Sequence, residues 1–294
     1  MGSTTNKPKP KLACEISADR VLAGRALDGG GGLETCAARE LAPGSVVPDL
    51  VENNLRQRDA VRNGIETALG DAGRSKDVIA IVPDAAVRVM LVEFDTLPSD
   101  QEEASGVVRF RLKKSLPFDV DQSAISFDRQ GTANPVRVVA AVTPRTVLEE
   151  YESVVQEAGY NPGCVLPSML AVLGLVDASH PTMVIKVERG TTTFAIVDQE
   201  QLLLYRALEN GGAAVTGESL VDDVNTSLVY FEDRYGVGVD RILVTGVDSV
   251  QALQEALSAT SNIRVEDLVS STSMHAAAGA NRAPLAAVMG ALAS

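Results

Sequence analysis

The sequence lacks tryptophan and is short of other aromatics, with five tyrosines and six phenylalanines in 294 residues. That excludes the stacked aromatic platforms that bind single-stranded nucleic acid. It has only two histidines, His180 and His275. His180 precedes Pro181 in a polar turn, and His275 sits in the small-residue stretch SSTSMHAAAGA. Neither belongs to a motif, so both read as loop residues, and histidine metal sites and Ser-His-Asp triads drop out. The three cysteines, Cys14, Cys36 and Cys164, are odd in number, widely spaced and without a CxxC. They read as reduced thiols rather than a disulfide frame or zinc site.

Positive charge is scarce too. Lys and Arg number 26 against 39 Asp and Glu, a formal net charge of −13. Non-specific nucleic-acid binding needs the opposite balance, and attraction to acidic lipid is confined to local patches. Long hydrophobic runs are absent: stretches such as Leu170–Val176 are far too short to span a bilayer. The start, MGSTTNKPKPK, has no apolar leader core. The expectation is a soluble protein inside the cell, with residues 1–11 a disordered tail.

Hydrophobic residues make up 45% of the chain, ample for a buried core, and the length suggests about two domains. Strands are expected at Leu12–Ile16, Arg20–Leu27 and Leu33–Leu41, then a helix at Arg56–Ala72 with Val61, Ile65, Ala68, Leu69 and Ala72 on one face. The four glycines Gly29 to Gly32 read as a hairpin turn, since no Gly-Lys-Ser/Thr follows and a strand comes next. Strands at Asp77–Val82 and Val87–Phe94 lead to a helix capped by Ser99 and running to about Lys114. Strands near Ala124–Arg129 and Val136–Val142 precede an amphipathic helix, Arg145–Ala158, and a short one, Ser168–Val176. Met183–Val187, Thr192–Val197 and Leu202–Ala207 read as strands, followed by a helix Gly217–Tyr235, a strand and turn Asp240–Gly246, a helix Val250–Ser258, a strand near Ile263–Val265 and a final helix Ala283–Leu292. A β-β-β-α-β-α order occurs twice, which is a two-lobed α/β design with little sequence identity between the lobes.

Several strings in this order carry a family likeness: Ile79–Asp84 (IAIVPD), Val87–Pro98 (VRVMLVEFDTLP), Ser115–Asp119, Phe127-Asp128, Val138–Thr143 (VVAAVT), Val165–Leu170 (VLPSML) and Asp240–Gly246 (DRILVTG). Together they resemble the PilM-like branch of the actin-like proteins, which acts in type IV pilus assembly and is distantly related to FtsA. The resemblance implies a two-lobed actin-like (ASKHA) α/β fold. The first lobe would comprise residues 12–85, completed by 165–180 and the C-terminal helix 281–294. A strand-helix-strand-strand insert would occupy 86–164. The second lobe would be 181–280, with a reduced subdomain at about 208–239.

The resemblance also implies an inter-lobe cleft for ATP and magnesium, and here the sequence departs from the family. The first hairpin has Glu15 where an aspartate is expected and Ser17 where glycine lets phosphate approach. In the second hairpin Lys186 replaces the metal aspartate and Glu188 the glycine, with Gly190 in the turn. A carboxylate at 188 would face a phosphate. Lys186 reads as a strand-edge ion pair with its neighbours. The late turn keeps Gly246 but has Val247 next. With a shifted alignment, Asp19, Asp198 or Asp248 could supply an acid instead. The expectation is vestigial nucleotide positions at Glu15, Ser17, Lys186, Glu188, Gly190 and Gly246, with no metal, no cofactor and no catalysis. An ATP-binding assembly ATPase and a type II secretion assembly protein are the alternatives.

What remains is a cytoplasmic scaffold held at the inner membrane through a partner. In the resembling family that partner is PilN, bound by its N-terminal peptide in a groove beside the insert. Candidate contacts here are Val107, Phe110, Leu112, Leu116 and Phe118, although any one of them taken singly reads first as insert core. Homo-oligomers are possible; nucleic acid and a membrane span are not expected. Arg109, Arg111, Lys113 and Lys114 form a basic patch in an acidic chain.

Overall fold

The computed structural model describes residues 9–131, 134–211, 215–258, 261–272 and 283–293. Most of the expected tail, residues 1–8, lies outside them, as does His275.

Two five-stranded sheets share one topology. The first is built from β1 (Leu12–Ile16), β2 (Arg20–Ala26), β3 (Leu33–Glu40), β4 (Asp77–Val82) and β8 (Asn161–Pro167), in the order β3-β2-β1-β4-β8. The second comprises β9 (Thr182–Val187), β10 (Thr191–Asp198), β11 (Gln201–Glu209), β12 (Arg241–Thr245) and β13 (Arg264–Asp267), in the order β11-β10-β9-β12-β13. In each, a three-strand meander pairs antiparallel and its first strand runs parallel to the two later ones. The repeat expected from element order is thus a repeat of strand order and sense.

Both sheets are covered on both faces, so their central strands are apolar almost throughout. The pleat sends alternate residues to opposite sides. Leu12, Cys14 and Ile16 pack against α1 (Arg58–Ala72) and α3 (Arg145–Glu157). Met183, Ile185, Phe194 and Ile196 pack against α5 (Gly217–Tyr235) and α6 (Val250–Ser258). Ala13, Ile79, Val184 and Ala195 face inward, sharing one cluster with α4 (Ser168–Leu173), α7 (Leu268–Ser271) and α8 (Ala286–Ala293). The same parity puts Glu15 on the inner face of one sheet and Lys186 on the inner face of the other.

A third sheet, in the order β5-β7-β6, is the insert: β5 (Arg88–Phe94), β6 (Ser123–Gln130) and β7 (Val136–Pro144), covered by α2 (Gln101–Leu112). Its end is a correction. The insert closes at Pro144 rather than at 164, because the apolar face of α3 (Val147, Tyr151, Val154, Val155) belongs to the first-lobe core. Residues 161–167, not expected as a strand, form β8 and extend the first sheet parallel to β4. The start of α2 also differs from expectation. Asp100, not Ser99, is its cap, its Oδ1 accepting from the Glu102 and Glu103 amides at 3.0 Å.

The insert is braced against the second lobe. Gln130 Nε2 donates to the Leu202 carbonyl at 2.9 Å, and Arg234 donates to Glu93 Oε1 at 3.0 Å. Among the described residues, no helix is long and apolar enough to cross a membrane.

Candidate functional site

The inner faces of the two lobes meet at a buried polar cluster. Glu15 lies near the end of β1, Asp84 opens the 3-10 turn after β4, Ser168 starts α4, and Lys186 lies near the end of β9. Lys186 Nζ pairs with Glu188 within its own hairpin and reaches across to Glu15 Oε1 at 3.5 Å. The lysine side chain is only 7% exposed and that of Glu15 only 5%. Ser168 Oγ donates to Glu15 Oε1 at 2.5 Å. Asp84 is fully engaged: the Met169 amide and the Tyr205 hydroxyl donate to Oδ1 at 2.8 and 3.1 Å, and Thr193 Oγ1 donates to Oδ2 at 3.1 Å.

Lys186 is therefore not the expected strand-edge ion pair. Its partner Glu188 is as expected, but the pair lies between the lobes, and Arg189 is exposed outside it. The arrangement works as a clamp, with an ammonium of the second lobe neutralising a carboxylate of the first. Burial disfavours the charge on Lys186, yet Glu188 and Glu15 outweigh it and hold the ammonium protonated. Burial likewise pushes Glu15 above the usual carboxylate range, with Lys186 opposing. Asp84 rises to about 6, through burial first and then repulsion from Glu188.

The sign for pH follows. The Asp84 carboxyl releases its proton near 3.8 when free and near 6 when folded, so the folded chain holds more protons between those values. Stability from this group is then greatest at low pH and falls as pH rises through that window. Asp84→Asn keeps an acceptor oxygen for the Met169 amide and the Tyr205 hydroxyl, sets an amide donor against the Thr193 hydroxyl, which can turn to accept, and removes the titration. We expect the variant to lose that part of the pH dependence and to gain stability relative to wild type near neutral pH. Urea midpoints measured from pH 4 to 7 check it; parallel curves for both proteins would rule it out.

The other vestigial positions are accounted for. Ser17 closes the first hairpin, its Oγ donating to Asp19 Oδ1 at 3.1 Å and to the Arg20 carbonyl at 3.0 Å. Asp19, the alternative acid, pairs with Arg20 at 2.9 Å and is held below its ordinary pKa by that hydrogen bond. Gly190 turns the second hairpin with φ +93°, open space lying where a Cβ would go. Gly246, φ +83°, lies against the Val187 carbonyl. Nothing in the sequence singled out Asp84, Ser168, Thr193 or Tyr205. The available signal was parity, since Thr193 alternates with Phe194 and so shares the inner face with Ala195.

These residues do not fit a magnesium–phosphate pair. The Lys186 ammonium lies between the two hairpins against Glu15 and Glu188, and Glu188 would set a carboxylate against phosphate oxygens. Among the described residues no three His, Cys, Asp or Glu side chains gather as a metal set.

A second feature is an apolar groove of about 270 Å³ between the insert and the first lobe. It is lined by Ala124, Ile125 and Ser126 of β6, Leu148 and Glu152 of α3, and Val165 of β8. β6 and β8 are both edge strands of their sheets. The five expected contact residues lie elsewhere, on and after α2. Leu112 is fully buried in the insert core, and Leu116 and Phe118 pack against that core. Leu112 is thereby corrected to a core residue, because its helix face covers the insert sheet. Val107 and Phe110 are exposed, at 37% and 66%.

No family model and no curated protein matches the sequence. Solved structures do match. A PilM-PilN type IV pilus biogenesis complex is similar at 16% identity and a TM-score of 0.76, over 97% of this chain and 98% of that one. The cytoplasmic domain of EpsL, an inner-membrane component of the type II secretion system of Vibrio cholerae, is similar at 12% identity and a TM-score of 0.59, over 96% and 94%. A Bacteroides thetaiotaomicron protein of actin-like ATPase fold and unknown function is similar at 11% identity and a TM-score of 0.53, over 90% and 93%. With the duplicated sheets, the buried inter-lobe contact and this likeness over nearly the whole chain, the protein has the actin-like ATPase fold.

Proposed function

We propose that this protein is a non-catalytic scaffold of pilus assembly, recruiting a membrane-anchored PilN-like partner through an extended peptide. The observation that carries the reading is the groove between β6 and β8. It is apolar, open and flanked by two unpaired strand edges, which offer backbone hydrogen bonds to an added strand. Glu152, among its lining residues, supplies charge for a basic residue of the peptide. The similar PilM-PilN complex supports a partner of this kind, and the similar EpsL domain supports secretion assembly as a second setting. On this reading the protein works in the cytoplasm, held at the inner membrane by its partner. The Lys186 clamp takes the place of nucleotide between the lobes.

The test is titration of a fluorescent N-terminal peptide of a PilN-type protein against the full chain. We expect saturable binding, lost in Ser126→Arg, which fills the groove from an exposed position, while the melting temperature stays unchanged. Millimolar Mg·ATP should leave the melting temperature unmoved, whereas a ligand of the folded state raises it by mass action. A magnesium-dependent rise would overturn the reading that the Lys186 clamp takes the place of nucleotide. Peptide binding that survives Ser126→Arg would overturn the groove.

A further inference from the structure

The insert carries a surface that the peptide groove does not use. α2 covers the insert sheet with Ala104, Val108 and Leu112, leaving its opposite face to solvent. On that face Glu103, Val107, Phe110 and Lys114 recur at helical spacing. Phe110 is 66% exposed, and the other five phenylalanines are buried or half-buried. Lys114 Nζ stands 5.2 Å from the centre of the Phe110 ring, leaving the ammonium in water beside an apolar body.

The basic residues around it differ in their bonding. Arg109 donates to the Val120 carbonyl, and Lys113 pairs with Asp121 at 2.6 Å. Those two are explained by the insert itself. Among the described residues, Arg111 and Lys114 have no carboxylate partner within 4 Å, although the chain carries 13 more acidic than basic side chains. Phe110 is thus an exposed aromatic flanked by two cations that have no carboxylate partner among the described residues. An anionic headgroup layer matches this pair of features, offering phosphates to the cations and an interface for the ring.

We propose that this face of α2 is a docking surface for an anionic lipid bilayer, with Phe110 entering the headgroup layer and Arg111 and Lys114 meeting lipid phosphates. The charge complementarity is local, which is the only form an acidic chain permits. One aromatic and two cations give weak, reversible, salt-sensitive binding. The surface thus orients a protein brought to the membrane by other means rather than anchoring it alone. This inference does not depend on the peptide groove.

The test is co-sedimentation of the full chain with phosphatidylcholine vesicles, with and without phosphatidylglycerol. We expect partitioning to the anionic vesicles only, weakened by salt. Arg111→Gln with Lys114→Gln should lower it about 25-fold, from about fivefold per cation near the surface. Phe110→Ser should lower it separately, with an unchanged melting temperature in each variant. Equal sedimentation with neutral vesicles, or none with anionic ones, overturns the proposal. So does insensitivity to Phe110→Ser, or binding to soluble polyglutamate that matches the anionic vesicles, which would point to an acidic protein partner.

Discussion

Lys186→Met should lower stability by about 3–5 kcal/mol at neutral pH, the range for removing one partner from a buried ion pair. The lysine is the only cation in direct contact with Glu15 and Glu188 among the described residues, and all three side chains are at most 13% exposed. Methionine fills similar volume, so the loss would report charge rather than packing. Removing the ammonium strands two carboxylates beside the already crowded Asp84. Without Lys186, which opposes its upward shift, Glu15 would titrate higher still in the folded state, so the deficit should shrink as pH falls and it takes up a proton. Adding Glu188→Gln to Lys186→Met should recover part of the loss, since it removes one of the stranded charges. Urea unfolding at two pH values measures all of this. A loss below about 1 kcal/mol would mean that the lobes are not held by this contact.

Gly246→Ala should cost about 4 kcal/mol, combining left-handed backbone strain with forced overpacking. Its φ is +83°, and a Cβ there would stand 2.0 Å from the Val187 carbonyl oxygen. That oxygen belongs to the strand bearing Lys186, so the turn after β12 is pressed against the hairpin that forms the clamp. Backbone cannot swing aside as a flexible side chain can. Gly190→Ala is the control, with φ +93° but open space where its Cβ would go. It should cost about 1 kcal/mol, from strain alone. Equal losses for the two variants in the same unfolding assay would refute the close approach as the cause.

Most of the fold was legible because periodicity and punctuation agree along the chain. α1 shows its buried face as Val61, Ile65, Ala68, Leu69 and Ala72, all of them buried in the structure. The strands β1, β4, β9 and β12 read as apolar runs, and two-sided burial explains those runs. β8 was missed because Asn-Pro-Gly-Cys is a turn signal by composition. Only pairing with β4 makes it a strand, and the same pairing moves the end of the insert from 164 to Pro144.

The candidate site was legible in part. Glu15, Ser17, Lys186 and Glu188 stood out because each departs from a hairpin pattern that phosphate and metal require. Their identities alone place unlike charges near one another. They do not say that Lys186 turns inward and joins Glu15, because that contact spans 171 positions in the numbering and exists only when the sheets face each other. For the same reason Asp84 read as a loop acid after Pro83. Its raised pKa comes from burial between the lobes, which no local pattern encodes.

The sequence by itself determined the two-lobed order of elements, the excess of acidic side chains and the identities of Glu15, Ser17, Lys186 and Glu188 in the two hairpins. It did so because helix and strand periods, turn residues and charge are local properties. Only the tertiary structure decided that a lysine joins the two lobes, that the expected contact Leu112 is core, and that the open groove lies between β6 and β8. Those outcomes depend on which faces meet across long stretches of chain, and burial, not identity, then sets the charge and exposure of each side chain.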